Sequence, residues 1–320
     1  MPSLTSWIVR LVIIWVRRSK GIYSNAQKTT KSIEDFHIRP ESFSPPQSLG
    51  PDISVSRKDL TEWPLYRVSA TGRPDQASKA DRGAVLYIHG GAFYREMTKQ
   101  HWQFTAQIAR GTGLDVLVPI YPLIPRPGAT AAKLAQGLME ICRLSTQPVV
   151  CIAGDSAGGM LTLSTTQQLQ IHHPDLFARL RSIVLISPVL DNSLAHPEVR
   201  ELVKVDPWLG IDGLRVLTED LTAGLPIDDP VVSPLFGNIE GLPPVLLFAG
   251  THDMLCSDAR RLSAKYQGQG TERGLPGSFQ NEKLTFVEKP GMIHVYPLLP
   301  HPEGAEAREL MMHFINRHAA

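Results

Sequence analysis

The chain has little cysteine and almost no net charge. Three cysteines, Cys142, Cys151 and Cys256, stand among 320 residues. An odd, widely spaced set excludes both a disulfide framework and the paired spacing of a zinc site, and Cys142 and Cys151 read as small core residues. No Asn-x-Ser/Thr sequon occurs, and the two absences together set the expectation of a reducing, cytoplasmic setting. Lys and Arg total 32 against 31 Asp and Glu, a formal net charge of +1, which gives no electrostatic reason to expect nucleic acid as a partner. The glycines at 90 and 91 lack the spacing that cradles a nucleotide, and no cluster of ligating side chains has metal spacing, so neither cofactor nor metal is expected. No repeat or low-complexity linker divides the chain, which is long enough for one large α/β domain with a lid.

Long hydrophobic runs are also scarce. The strongest, residues Trp7 to Val16, is interrupted by Arg10 and closed by Arg17-Arg18-Ser19-Lys20. As a helix it rises only about 15 Å, roughly half of a bilayer core, so it does not span. A signal peptide places its basic residues before the apolar run and small residues after it, the reverse of this order. Two readings remain: a cap helix packed over a pocket, or an interfacial helix at the surface of an intracellular membrane with its basic flank on the headgroups. A homodimer is a further partner that the residues leave open.

What is present centres on Gly154-Asp155-Ser156-Ala157-Gly158, directly after the apolar run Pro148 to Ala153. The run reads as a buried strand, and the small residues let the backbone reverse tightly into a helix from Ala157. Ser156 is thereby pushed out at the carboxyl end of the strand, with the Ala157 N–H pointing at any oxyanion formed beside it. Upstream, Ala84 to Ile88 forms another buried strand running into His89-Gly90-Gly91-Ala92-Phe93, and the two glycines expose amides of the kind a tetrahedral intermediate needs. Asp155 adjoins the nucleophile and is expected to face away from it.

A serine nucleophile needs a base, and the base needs an orienting carboxylate. Pro244 to Gly250 reads as a strand ending in Thr251-His252-Asp253. Leu284 to Glu288 reads as a strand followed by Lys289-Pro290-Gly291-Met292-Ile293-His294. The order Ser156, Asp253, His294 follows. Asp191, past the strand Ser182 to Ser187, is the main rival for the acid, and Asp258 a weaker one. His252 would point away from Asp253 on an extended backbone.

In chain order, the segment His89 to Phe93, Ile120-Tyr121-Pro122-Leu123-Ile124-Pro125, Gly154 to Gly159, Leu242-Pro243-Pro244 leading to Asp253-Met254-Leu255, and His294 resemble the motifs of the hormone-sensitive-lipase branch of the α/β-hydrolases. That group includes bacterial family IV carboxylesterases and many fungal esterases. The resemblance covers roughly Arg82 to His318. It implies an α/β-hydrolase fold: a mainly parallel twisted sheet, helices on both faces, and a helical cap. It further implies Ser156 as nucleophile, His294 as general base and then acid, and Asp253 as orienting carboxylate. Gly91, Ala92 and Ala157 map to the oxyanion hole, and Gly90 is counted with them.

The departures from the family pattern are Ala92 for a glycine, Met254 for a proline, and Cys256-Ser257-Asp258 for Arg-Asp-Glu. The first is expected to narrow the acyl side of the pocket, the last to alter helix packing. Phe93 and Tyr121 are the expected substrate-binding residues, with Tyr94, Trp208 and Phe236 also weighed for an apolar pocket and Tyr121 read as a buttress of the elbow. The implied activity is hydrolysis of short to medium acyl esters of small molecules through an acyl-enzyme. Amide or lactone hydrolysis, acyl transfer, or ligand binding without turnover on the same fold are the alternatives. Relatives of the last kind typically lack the histidine.

The expected organisation is a helical N-terminal segment over residues 1–50, a catalytic domain over 51–190 and 231–320, and a cap insertion over 191–230. Asp52 to Leu60 and Trp63 to Ala70 are expected as antiparallel opening strands. Lys99 to Gly111, Ala129 to Leu144 and Ala157 to Ile171 are expected as helices alternating with the parallel strands.

Overall fold

Unbroken apolar runs become the centre of the sheet, because a strand covered by helices on both faces has no polar side to show. A computed structural model of the chain describes residues 2–59, 61–71 and 83–319. Leu60, which ends the first expected strand, and Arg82, which opens the stretch of family resemblance, lie outside the described residues. The strands are β1 (Ile53–Arg57), β2 (Leu65–Ala70), β3 (Ala84–Ile88), β4 (Asp115–Pro119), β5 (Val149–Asp155), β6 (Ser182–Ile186), β7 (Val245–His252), β8 (Phe279–Gln280) and β9 (Leu284–Ile293). They form one sheet in the order β1-β2-β4-β3-β5-β6-β7-β9-β8. From β4 to β9 neighbouring strands are parallel; β1, β2 and β8 run antiparallel to their neighbours.

The chain order reverses at β3, which has β4 on one side and β5 on the other. Such a switch point opens a crevice at the carboxyl ends of the strands. The turn after β3 and the turn after β5 flank it.

Alternation along β3 sorts the two layers. Val85 and Tyr87 pack with Trp102, Phe104 and Ile108 of helix α4 (Lys99–Thr112) and Met311 and Ile315 of α12 (Pro302–Ala319). Leu86 and Ile88 pack on the other face with Leu134 and Leu138 of α5 (Ala131–Leu144) and Leu161 of α6 (Ala157–His172). Helix α11 (Cys256–Tyr266) covers β7 through Ala259 and Leu262. The helix expected from Ala129 begins at Ala131, because the Thr130 hydroxyl accepts the Lys133 N–H at 3.3 Å and fixes the start.

Strand β9 continues five residues beyond its expected end at Glu288. Its pairing with β7 shifts register between Gly250 and His252, so Pro290 falls in an irregular stretch where its missing N–H leaves no gap in the ladder. Gly291 there donates its amide to Thr251 Oγ1 at 2.8 Å. The bulge re-aims the chain just ahead of His294.

Two helical groups lie over the carboxyl ends. One comprises α1 (Leu4–Val12), which continues as a π-helical turn (Ile13–Arg17), then α2 (Ser19–Tyr23) and α3 (Ala26–Ile38). The other comprises α8 (Pro197–Val205), α9 (Ile211–Val216) and α10 (Thr218–Thr222). A four-residue helix α7 (Pro174–Phe177) precedes β6. Helix α9 packs on α2 and α3, joining the two groups.

At the end of β5 the packing is tight. A Cβ on Gly154 would meet the Gly158 carbonyl, and one on Gly158 would press into the carbonyl oxygens of Ile88 and His89. Gly158→Ala therefore lowers stability by about 1–3 kcal/mol, read as a lower urea midpoint at unchanged slope. A midpoint equal to that of the unaltered chain would show that α6 is free to back away from β3.

Candidate active site

Ser156 sits between β5 and α6 with φ 53° and ψ −116°. This is a conformation a residue with a Cβ adopts only when its surroundings hold it. Its own N–H donates to the Ile186 carbonyl at 2.9 Å and its carbonyl accepts the Val189 N–H at 3.3 Å, so the end of β6 and the segment that follows it clamp it from both sides. The hydroxyl lies 2.9 Å from His294 Nε2, and His294 Nδ1 lies 2.9 Å from Asp253 Oδ2. A carboxylate only accepts, so Nδ1 carries the proton and Nε2 is left to accept from the serine.

Asp253 follows β7, is fully buried, and takes the Leu255 N–H on Oδ1 at 2.9 Å. Val295, just after the imidazole, has φ 48° and donates its N–H to Ser187 Oγ at 3.0 Å. Burial pushes the His294 pKa down, but the charge and hydrogen bond of Asp253, with Asp206 behind them, outweigh it and hold the ring above its ordinary value.

The rival acids are engaged elsewhere. Asp191 pairs with Arg261 at 2.7 Å and takes the Ser193 hydroxyl at 2.6 Å. Asp258 accepts the amides of Leu190 and Asp191 at 2.8 and 3.0 Å. Ser257 Oγ lies 3.0 Å from His196 Nδ1, so two residues of the departing Cys256-Ser257-Asp258 segment serve local packing beyond the outlet of β6. His252 turns away to Arg10.

The turn after β3 holds Gly91, Ala92 and Phe93 at φ 123°, 51° and 59° in succession. Among the described residues the amides of Gly91, Ala92 and Ala157 donate to no protein acceptor, and all three residues line the same cavity as Ser156 and His294. Gly90 differs from the expectation that counted it with them. Its N–H donates to Asp155 Oδ1 at 2.9 Å and is thereby spent inside the protein. Asp155 also takes the Tyr87 hydroxyl at 2.5 Å and lies 3.5 Å from His101 Nε2. Burial opposes its ionisation, but His101, Tyr87 and Gly90 prevail and hold its pKa below the ordinary carboxylate value.

Tyr121 corrects the other expectation. It is buried away from the cavity, its hydroxyl donates to the His89 carbonyl at 2.6 Å, and its ring stacks on His89 at 4.5 Å. It therefore buttresses the turn and is not among the residues lining the cavity. His89 is likewise internal: burial, then the neighbouring His101, lowers its pKa to about 4, and its ring stays neutral with Nδ1–H donating to Gly90 O at 2.6 Å.

The cavity has a volume of about 410 Å³. Phe93 and Trp208 line it, whereas Tyr94 and Phe236 do not. Leu209, Leu214, Leu217 and Leu221 give it an apolar wall, and Tyr23 of α2 lines it as well. Catalytic groups, candidate oxyanion donors and an apolar wall thus share one space.

This arrangement agrees with what the chain is similar to. Residues 85–298 match the family model of the α/β-hydrolase fold, and the chain belongs to that family. It is 31% identical over 67% of its length to a triacylglycerol lipase of Mycobacterium tuberculosis, spanning 42% of that protein. It is 30% identical to an acetyl-hydrolase of Streptomyces hygroscopicus, covering 74% of this chain and 77% of the relative. A crystal structure of an esterase from the bacterial hormone-sensitive lipase family superposes with a TM-score of 0.72 at 21% identity, over 100% of both chains.

One residue at the site escaped the sequence reading. Asp206, at the end of α8, accepts the amides of Trp208 and Leu209 at 2.7 and 2.9 Å on one oxygen. Its other oxygen takes the Met254 N–H at 2.9 Å. Asp-Pro at 206–207 signals a turn, but nothing local shows that the carboxylate reaches the residue beside Asp253. Burial and the charge of Asp253 push its pKa up to about 6, against the pull of the Met254 and Leu209 amides and of His294. Trp208 meanwhile stands edge-on to the His294 ring at 5.8 Å.

Asp206→Asn removes a negative charge that favours the imidazolium, while an amide oxygen still accepts the turn N–H groups. The titration midpoint of His294, followed by its imidazole C–H resonances, is expected at lower pH in this variant. A midpoint unmoved or raised would show that the Asp206 charge does not reach the ring.

Proposed function

We propose that the chain is a serine carboxylic-ester hydrolase acting on small-molecule esters with short to medium acyl groups. The observation that carries this reading is the unbroken Ser156–His294–Asp253 relay at 2.9 Å per contact, in a cavity that also presents three unengaged amides. Ser156 Oγ attacks the ester carbonyl carbon while His294 Nε2 takes its proton, and the new oxyanion falls to the amides of Gly91, Ala92 and Ala157. The C–O bond to the alcohol then breaks, the alcohol leaving with the proton held by His294. Water attacks the acyl-enzyme with the same base, and Ser156 is regenerated.

The acetyl-hydrolase and lipase names of the relatives support acyl esters as the substrate class, and a cavity of this size suits a small molecule. Residues 1–50 and 191–230 form the cap in this reading, and 51–190 with 231–320 the catalytic domain. The contact of His294 with Ser156 weighs against ligand binding without turnover.

Ser156→Ala is expected to reduce hydrolysis of p-nitrophenyl acetate and butyrate by roughly 10³-fold or more, with the melting temperature of the fold retained. Turnover close to that of the unaltered protein would reject the serine mechanism. The methyl of Ala92, at a positive φ beside the nucleophile, restricts the acyl side. Ala92→Gly is expected to raise the ratio of kcat/KM for bulkier acyl esters over acetyl, and an unchanged ratio in an acyl-chain series would remove Ala92 as a determinant.

A further inference from the structure

Helix α1 wears its apolar stripe on the side away from the protein. Leu4, Trp7, Ile8, Leu11, Val12 and Trp15 recur at i, i+3, i+4, i+7, i+8 and i+11, the spacing of one helix face. In a globular protein that face is covered. Here each of the six exposes between 46% and 78% of its surface.

The inward side is fixed largely by polar contacts. The Ser3 hydroxyl donates to Glu303 Oε2 at 2.9 Å, Ser6 Oγ lies 3.5 Å from Met292 Sδ, and Arg10 reaches His252 and the Val205 carbonyl. Ile13 is deeply buried, against Ile293 and Leu299. The helix is thus held in register with its hydrophobic face outward.

Charge decides what that face meets. The first 33 residues carry six basic side chains, the first at Arg10 and the last at Lys31, and no acidic one. The tandem Arg17-Arg18 ends the apolar stretch, and the Arg18 side chain is exposed. A second copy of the chain docked through this face would set two such unbalanced basic segments against each other. An anionic lipid surface supplies the opposite charge and an apolar phase beneath it, and tryptophan rings suit the boundary between the two. The inward side of the same segment adjoins the cavity, since Leu299 beside Ile13 and Ser19 just after the π-turn both line it.

We propose that α1 and its π-helical extension form a docking face for anionic membrane surfaces. The cavity then opens next to esters partitioned into the bilayer. The docking stands independently of the hydrolase reading, and only its consequence for substrate supply rests on that reading.

The test is co-sedimentation of the full chain with phosphatidylcholine vesicles, with and without 30 mol% phosphatidylserine, a composition on the order of an anionic leaflet. The chain is expected to sediment with the anionic vesicles and to be released by high salt. In Trp7→Ser/Leu11→Gln/Trp15→Ser the partition coefficient is expected to fall roughly tenfold or more, with an unchanged melting temperature and unchanged turnover of soluble p-nitrophenyl acetate. Failure to sediment, or equal sedimentation of the triple variant, overturns the proposal. So does a dimer by light scattering that the triple variant abolishes, because the face would then belong to a second copy. Absence of ester turnover in both chains would count against the hydrolase reading alone and leave the binding result to stand.

Discussion

The carboxylate of Asp155 sets the distance between the two loops on which the site is built. Its backbone is the last residue of β5 and delivers Ser156, while its side chain accepts the Gly90 amide and the Tyr87 hydroxyl from β3 and the turn beyond it. Ser156 and the turn bearing Gly91 and Ala92 are thereby one unit. Both carry unfavourable backbone conformations, at Ser156 and at Ala92-Phe93, each costing about 1–3 kcal/mol. Hydrogen bonds to a buried charge are among the stronger ones available to offset such strain. Tyr121 supports the same turn from behind through the His89 carbonyl.

The segment that follows α8 is tied to Asp253 and His294 in a comparable way. Asp206 and Trp208 follow α8, and they contact the Met254 amide and the His294 ring respectively. At the other end of α8, Glu198 shares Arg260 with Glu288 of β9, at 2.5 and 2.7 Å. Arg260 is largely buried, so its removal would leave both carboxylates without their shared counter-charge. The segment that lines the cavity through Trp208 and Leu209 is therefore fastened to the strands that lead to Asp253 and His294.

The parts of this arrangement that local chemistry dictates were legible in the sequence. Strands β3, β5 and β7 announce themselves as apolar runs, and glycines around Ser156 mark the sharp turn because side chains there would collide with α6 at Gly154 and with the end of β3 at Gly158. What depends on adjacency between distant segments was not legible. Whether Gly90 keeps its amide for a ligand turns on Asp155 standing across from it, and this follows only once β3 and β5 are neighbours. Asp206 reads as an ordinary turn aspartate until the cap is placed over Met254. Tyr121 reads as a buttress in the sequence, but its partner, the His89 carbonyl and ring, follows only from the structure. The apolar period of α1 is plain in the residues, but period alone does not say which way the stripe points.

The central claim is that Ser156, His294 and Asp253 act together with the amides of Gly91, Ala92 and Ala157, while Gly90 remains committed to Asp155. A crystal structure of the protein after inactivation by diethyl p-nitrophenyl phosphate tests it most directly, because the phosphoryl group mimics the tetrahedral intermediate. The account predicts a covalent bond from phosphorus to Ser156 Oγ, a phosphoryl oxygen within hydrogen-bonding distance of those three amides, and an intact Gly90–Asp155 contact. Attachment at another residue, or a phosphoryl oxygen turned away from the three amides, would contradict it.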